Sequence, residues 1–378
     1  MFQAIKEFKV GRPQIFAGLM LMGFLVQCLW VGTSRRLSPL EEEYVASGFP
    51  PRAGQEYRIT SPLTGWVAAM PYKIMRKAAG TIVSEQDVVP KPWMGRLPFM
   101  IFGLWLGGAL WWVARRLFDD AGGYVALGLY CTSPAMVMIA SNVGPEVLLA
   151  WSIFGLLYTA IGVAHTLYAP SRKWLPRIVI LGLSIGFSLA TAVWSFTAVL
   201  LALAFMLYLA PGRRRAALLV VLCAFAIGTG VYAFVLGLTG APWVATHSLI
   251  QPHLSLELVR NLKFVFADGY TDLGSYLFVA FFVAALTAYG SWSRAQYFGN
   301  TAPLLISFSV VLLFALVPAI HIWTATLGLV FVFVFVGGVA ADLLETSRKA
   351  FAGMILAAGF LFRIVLGLWA LKSWVHNP

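Results

Sequence analysis

Apolar runs long enough to cross a hydrocarbon core of about 30 Å recur along this chain from Gln14 to its C-terminal end. That single pattern rules out a soluble domain carrying one anchor and requires an all-α polytopic membrane protein. Windows of about 20 apolar residues place roughly eleven transmembrane helices, at 14–31, 97–114, 121–140, 146–166, 178–195, 196–210, 216–238, 275–291, 303–320, 322–341 and 350–371. The stretch 178–210 admits two readings: two short spans meeting at a tight turn near Trp194 and Ser195, or one long tilted helix and a re-entrant piece. "FVFVFVGG", 331–338, is apolar on every side and reads as a lipid-embedded helix.

Composition agrees. Sixty per cent of the 378 residues are hydrophobic, against roughly 45–50% in soluble domains, and the mean hydropathy is +0.83. A net charge of +12 would suggest nucleic acid in a soluble chain. Here the basic residues lie in short loops between apolar runs, where headgroups and topology account for them. Cys28, Cys131 and Cys223 fall inside expected spans and read as packing residues, with neither a disulfide framework nor metal-ligand spacing. Lys6, Lys9 and Arg12 ahead of a long apolar segment mark an uncleaved first span, since the segment exceeds a signal-peptide core and lacks a small-residue cleavage site.

The distribution of Lys and Arg sets the orientation. Arg115 and Arg116, Arg172, Lys173 and Arg177, Arg213 to Arg215, Arg294, Arg348 and Lys349 all fall on the N-terminal side of the membrane, which is therefore cytoplasmic. Two long loops, 32–96 and 239–274, then lie outside, and every cytoplasmic connection is short. Long loops on a rigid scaffold are where sites concentrate, so chemistry is expected on the outer face. Within the first loop, Trp66, Met70 and Ile74 form an i, i+4, i+8 stripe beside Lys73, Arg76 and Lys77, the pattern of a helix in the headgroup layer that Pro71 limits or kinks. The whole of 1–378 reads as one membrane domain.

The order of several short motifs resembles the GT-C superfamily of membrane glycosyltransferases that use polyprenyl-phosphate sugars, in the protein mannosyltransferase and aminoarabinose transferase branch. "EEEY" offers the acidic pair Glu41 and Glu42 with Tyr44 at the tyrosine position; "SPLTGW" supplies Pro62, Leu63 and Trp66; Arg96, Leu97 and Pro98 precede the second span. "ARRLF", Ala114 to Phe118, closes that span, Ser133 and Pro134 follow, and "GPEVLL" carries Pro145 and Glu146. The resemblance implies a GT-C-like bundle whose first outer loop bears juxtamembrane helices. It departs from the pattern at the acidic pair, Glu where the family has Asp, at Thr191, Ala192 and Val193, where the family has Thr-Lys-Gly, and at Gly144, where it has arginine.

What the resemblance implies for chemistry is transfer of a sugar from a polyprenyl-phosphate donor to an acceptor on the outer face, with inversion. Such a donor already carries a good leaving group, so the protein has to deprotonate the acceptor and steady the charge growing on the phosphate. Glu41 or Glu42 is the expected base, and Glu146 faces it to orient the acceptor or bind a metal. Arg96, His247, His253, Arg260, Lys263 and His321 are the expected phosphate partners, although lipid headgroups would draw the same residues to the membrane surface. No divalent metal is assigned, because no close His spacing supports one. Beside each of these stands a plainer reading: three glutamates after Pro39, and Glu146 after Pro145, suit the first turn of a helix. Arg363, deep in the last span, is expected to pair with Asp342 or another acid. The protein is placed in a bacterial inner membrane with lipids and the polyprenyl-phosphate sugar as partners and no nucleic acid. A rival from another class is a catalytically inactive GT-C-like subunit that packs or stabilises a membrane complex. A transporter ranks last, since no paired broken spans recur in two halves.

Overall fold

The computed structural model describes residues 11–49, 61–79, 91–168, 174–239, 273–315, 326–346 and 349–376, and among them every regular element is helical. In chain order these are α1 (Arg12–Ser34), α2 (Pro39–Ser47), α3 (Pro62–Ala79), α4 (Pro92–Cys131), α5 (Pro134–Ala140), α6 (Pro145–Thr166), α7 (Leu175–Thr191), α8 (Phe196–Leu209), α9 (Arg214–Thr239), α10 (Leu273–Ser291), α11 (Phe298–Ala315), α12 (Thr326–Leu344) and α13 (Lys349–His376). Six of the helical stretches are long and apolar enough to cross a membrane, and four shorter apolar helices accompany them. α1 shows the general pattern. Ala17, Phe24, Cys28 and Val31 are buried at helical spacing against α4, while Ile15, Phe16, Leu19, Met22 and Val26 are exposed, an apolar outer face that suits lipid.

The expected spans 97–114 and 121–140 are separated where expected. α4 is two helices that fold back on each other at Phe118 and Asp119, bringing the Tyr130 hydroxyl to the Gly103 carbonyl at 2.7 Å, and Asp119 at the turn has φ 61° and ψ −169°, a region essentially reserved for glycine. The second of them is interrupted at Thr132-Ser133-Pro134, where the Ser133 hydroxyl accepts from the Met136 N–H and Pro134 opens the short, wholly buried α5. The 178–210 stretch resolves as two helices: α7 ends at Thr191, Ala192 turns to extended backbone, and one 3₁₀ turn, Val193–Ser195, leads into α8.

α12 is not lipid-embedded. Every residue from Thr326 to Asp342 is buried, because α4, α6, α10, α11 and α13 surround it. Phe331 meets Phe154 and Tyr158 of α6 at ring separations of 5.4 and 5.8 Å, while Phe333 and Phe335 meet Phe278, Phe282 and Tyr289 of α10. Hydropathy alone does not separate a lipid neighbour from a protein one. Gly182 and Gly186 on α7, spaced by four, press on α9 so closely that a Cβ at either would lie 2.9 Å from a carbonyl, of Ala224 and Gly228 respectively.

Of the partners expected for Arg363, Asp342 is not one. Arg363 is buried, its Nε donates to the Thr132 hydroxyl at 3.0 Å, and its guanidinium lies over the Phe278 ring. Asp342 instead accepts from the Asn300 amide at 2.8 Å. Cys28 and Cys131 are buried as packing residues should be, whereas Cys223 is exposed on α9.

Candidate active site

The acidic stretch opens α2. Ser38 is extended, Pro39 takes the first helical position, and a capping box closes the start: the Glu41 N–H donates to Ser38 Oγ at 3.3 Å and the Ser38 N–H donates to Glu41 Oε2 at 2.8 Å. The plain first-turn reading therefore holds for the local structure. It also sends the three glutamates in different directions, Glu41 inward with 4% of its surface exposed and Glu42 and Glu43 outward.

Glu41 meets Arg96, which is fully buried at the start of α4. Nε donates to Oε1 at 2.9 Å and Nη2 to Oε2 at 2.7 Å, a bidentate pair. The remaining guanidinium N–H groups reach three carbonyls at the end of α1: Nη1 donates to Gly32 and Arg35 at 2.8 and 2.7 Å, and Nη2 to Arg36 at 2.8 Å. The Val143 N–H, in the turn before α6, completes the cluster by donating to Glu41 Oε1 at 2.9 Å. Every donor of Arg96 is thus spent on protein, and each Glu41 oxygen accepts twice. Burial on its own would push the Glu41 carboxyl up, but the hydrogen bonds and charge of Arg96, with the Ser38 and Val143 N–H groups, hold it below its usual value.

This clasp brings α1, α2, α4 and the α5–α6 turn together, and α3 is added by two contacts. Gly48 and Gly65 touch so closely that a side chain on either would collide with the other helix. The Tyr72 hydroxyl accepts from the Gly95 N–H at 3.2 Å and donates to the Lys91 carbonyl at 3.0 Å. Leu63, Val67, Ala68 and Tyr72 face inward, leaving Met70 and Ile74 exposed and Trp66 half-buried. Two of the three residues of the expected stripe thus face outward, and α3 continues through Pro71.

Glu146 lies in the first turn of α6, half-buried, with its carboxylate folded back over Gly144, where any side chain would collide with it. Glycine at 144 leaves the room for that fold-back. Tyr44 on α2 is near enough to feel it: burial first, then the charges of Glu146 and Glu43, push its hydroxyl up. Arg35, which the sequence reading passed over, is part of the same end. Its Nη1 donates to Asn142 Oδ1 at 3.2 Å and its guanidinium stacks 3.7 Å above the Trp374 ring of α13. Burial, and then the neighbouring charge of Arg96, lower its pKa.

Of the residues singled out from sequence, the fold therefore gathers Glu41, Glu42, Tyr44, Arg96 and Glu146 at one end of the bundle. His247, His253, Arg260, Lys263 and His321 lie outside the described residues. Among the described residues no three His, Cys, Asp or Glu side chains gather to hold a metal ion.

Solved structures share this architecture. ArnT from Cupriavidus metallidurans superposes in the apo state with a TM-score of 0.67 at 15% identity, over 90% of this chain and 62% of ArnT. The fold is that of the GT-C membrane glycosyltransferases. ArnT bound to undecaprenyl phosphate superposes with a TM-score of 0.65 at 15% identity, over 91% of this chain and 62% of that one. The archaeal oligosaccharyltransferase AglB from Archaeoglobus fulgidus, in complex with an inhibitory peptide and a dolichol-phosphate, gives 0.51 at 13% identity, over 93% of this chain and 56% of AglB. Residues 88–243, less than half of the chain, match the family dolichyl-phosphate-mannose-protein mannosyltransferase. No curated protein sequence matches. The chain spans about three-fifths of the length of ArnT.

Proposed function

We propose that the chain transfers a sugar from a polyprenyl-phosphate donor to an acceptor on the outer face of a bacterial inner membrane, its N-terminus cytoplasmic and the α2–α3 end outside. The observation that carries this reading is the acid-lined end of a fold shared with a transferase whose structure holds undecaprenyl phosphate. Glu146 is the better base than Glu41. It is half-buried and pairs with no cation among the described residues, whereas the Glu41 carboxylate is saturated by Arg96, Ser38 and Val143.

In this mechanism Glu146 takes the proton of the acceptor as the acceptor atom bonds to the anomeric carbon. The bond from that carbon to the phosphate oxygen breaks, and the electron pair leaves with the lipid phosphate. Glu41 and Arg96 act as positioning residues by fixing Val143, three residues before Glu146. Glu42, exposed beside them, is the second acid. Phosphate partners are expected in the loops that carry His247, His253, Arg260, Lys263 and His321, and a metal is left unassigned.

The test is transfer from a polyprenyl-phosphate sugar by the protein in liposomes. Loss of a general base costs on the order of 10²–10⁴ in rate, so Glu146→Gln should fall in that range and Glu42→Gln should fall much less. Full activity in Glu146→Gln removes the assignment of the base. The rival, a catalytically inactive subunit of a membrane complex, is favoured by one specific feature: where the family places a lysine, Ala192 is an extended residue at the α7 break and supplies no cation. Fixed-ratio co-purification with other membrane subunits, together with no transfer by wild type, would decide for it.

A further inference from the structure

Arg35 follows the last residue of α1 and makes no ion pair among the described residues. Its contacts are the neutral amide of Asn142 and the ring of Trp374, and its Nε is enclosed with no acceptor. The buried carboxylate beside it, Glu41, is already committed to Arg96. A stacked guanidinium keeps its plane, and the Asn142 bond fixes one edge, so the cation waits in one pose before any ligand arrives. A partly dehydrated charge with an orphaned N–H is unfavourable in the free protein and is relieved when an anion enters, most of all a phosphate, two of whose oxygens can meet the planar guanidinium fork.

The surroundings narrow the class of anion. Trp374 is in the last turns of α13 and Arg35 is at the end of α1, two spans that touch. Both present apolar surface toward this end, Val26 and Trp30 on α1 and Val365, Leu368 and Trp369 on α13. A phosphate borne on a long apolar chain can therefore approach with its chain along protein that is already lipid-facing. A small soluble anion would gain nothing from that surface.

We propose that Arg35, braced by Trp374 and Asn142, receives the phosphate of the lipid-linked donor, whose chain lies along the exposed faces of α1 and α13. The proposal rests on the transfer reading, but it is tested by binding and not by turnover. An ordinary phospholipid headgroup offers the same phosphate chemistry, so the experiment has to separate the two.

The full chain in phosphatidylcholine nanodiscs is titrated with undecaprenyl phosphate and, separately, with phosphatidylglycerol and inorganic phosphate. Arg35→Gln should weaken undecaprenyl phosphate by about tenfold or more, the scale of a charge-assisted bond. Arg35→Lys should fall between, since it keeps the charge and loses the fork. Phosphatidylglycerol affinity should stay unchanged. Equal binding of undecaprenyl phosphate by wild type and Arg35→Gln overturns the assignment while leaving the transfer reading standing. Parallel loss of phosphatidylglycerol also overturns it, because Arg35 would then be a headgroup anchor. If wild type binds no undecaprenyl phosphate, both readings fall together. Should Arg35→Gln elute as aggregate, Arg35→Lys and Trp374→Leu decide: wild-type affinity in both overturns the proposal.

Discussion

Replacing Arg96 with methionine tests whether the clasp organises this end of the molecule. Methionine keeps much of the volume, so the change removes hydrogen bonds without opening a large void. It leaves a buried Glu41 carboxylate with only the Ser38 and Val143 N–H groups, and strips a donor from the carbonyls of Gly32, Arg35 and Arg36. Breaking a buried pair from one side costs about 3–5 kcal/mol. Glu41→Gln keeps the shape and loses the charge, for about 2 kcal/mol. If the two act as a unit the double variant should cost little more than Arg96→Met alone, a coupling of about 2 kcal/mol. Equilibrium unfolding in mixed micles of rising denaturing-detergent content measures all four corners of the cycle. The pH dependence has a definite sign. Glu41 is held below its usual value, so its contribution is fully present above the unfolded carboxyl range and is lost as pH falls through the lower, folded value. Wild type should therefore be insensitive to Glu41 from pH 7 to pH 5 and weaken only in more acid solution. An Arg96→Met variant within about 1 kcal/mol of wild type, or a coupling under about 0.5 kcal/mol, would refute the clasp, since non-interacting sites add to within that margin.

Other outcomes follow from features away from the clasp. Gly186→Leu should force α7 away from Val231 and Gly228 and destabilise the fold by about 1–3 kcal/mol in the same unfolding assay, as overpacked cores do. Asn300→Ala removes the buried amide that donates to Asp342 and to the Ala295 carbonyl, and should cost about 1–3 kcal/mol. The double variant Asn300→Ala/Asp342→Ala should recover part of that loss.

The spans and the turn near Ser195 were legible because apolar length and a local break are both written in consecutive residues. What surrounds a span was not: α12 and α13 are both strongly apolar, yet one is enclosed and the other is largely exposed. The acids at 41, 42 and 146 were legible as candidates, but Glu41 owes its state to Arg96, 55 residues away, and no local pattern joins them. One local signal was present. Ser38-Pro39-Leu40-Glu41 has the Ser-x-x-Glu spacing of a capping box, which turns Glu41 back toward its own helix start. Arg35 and Trp374 lie at opposite ends of the sequence, so their stacking was beyond any reading of motifs. The contact of Arg363 with the Thr132 hydroxyl, 231 residues away, was likewise beyond any local pattern.

The enclosure of α12 also bears on how the molecule is made. Its jacket includes α4, α6, α10 and α11, all synthesised earlier, so those segments have to wait with a vacant slot among them until residue 344 has left the ribosome. Assembly in the bilayer then sets the centrepiece into a ring still open on one side, and α13, made last, adds the remaining wall.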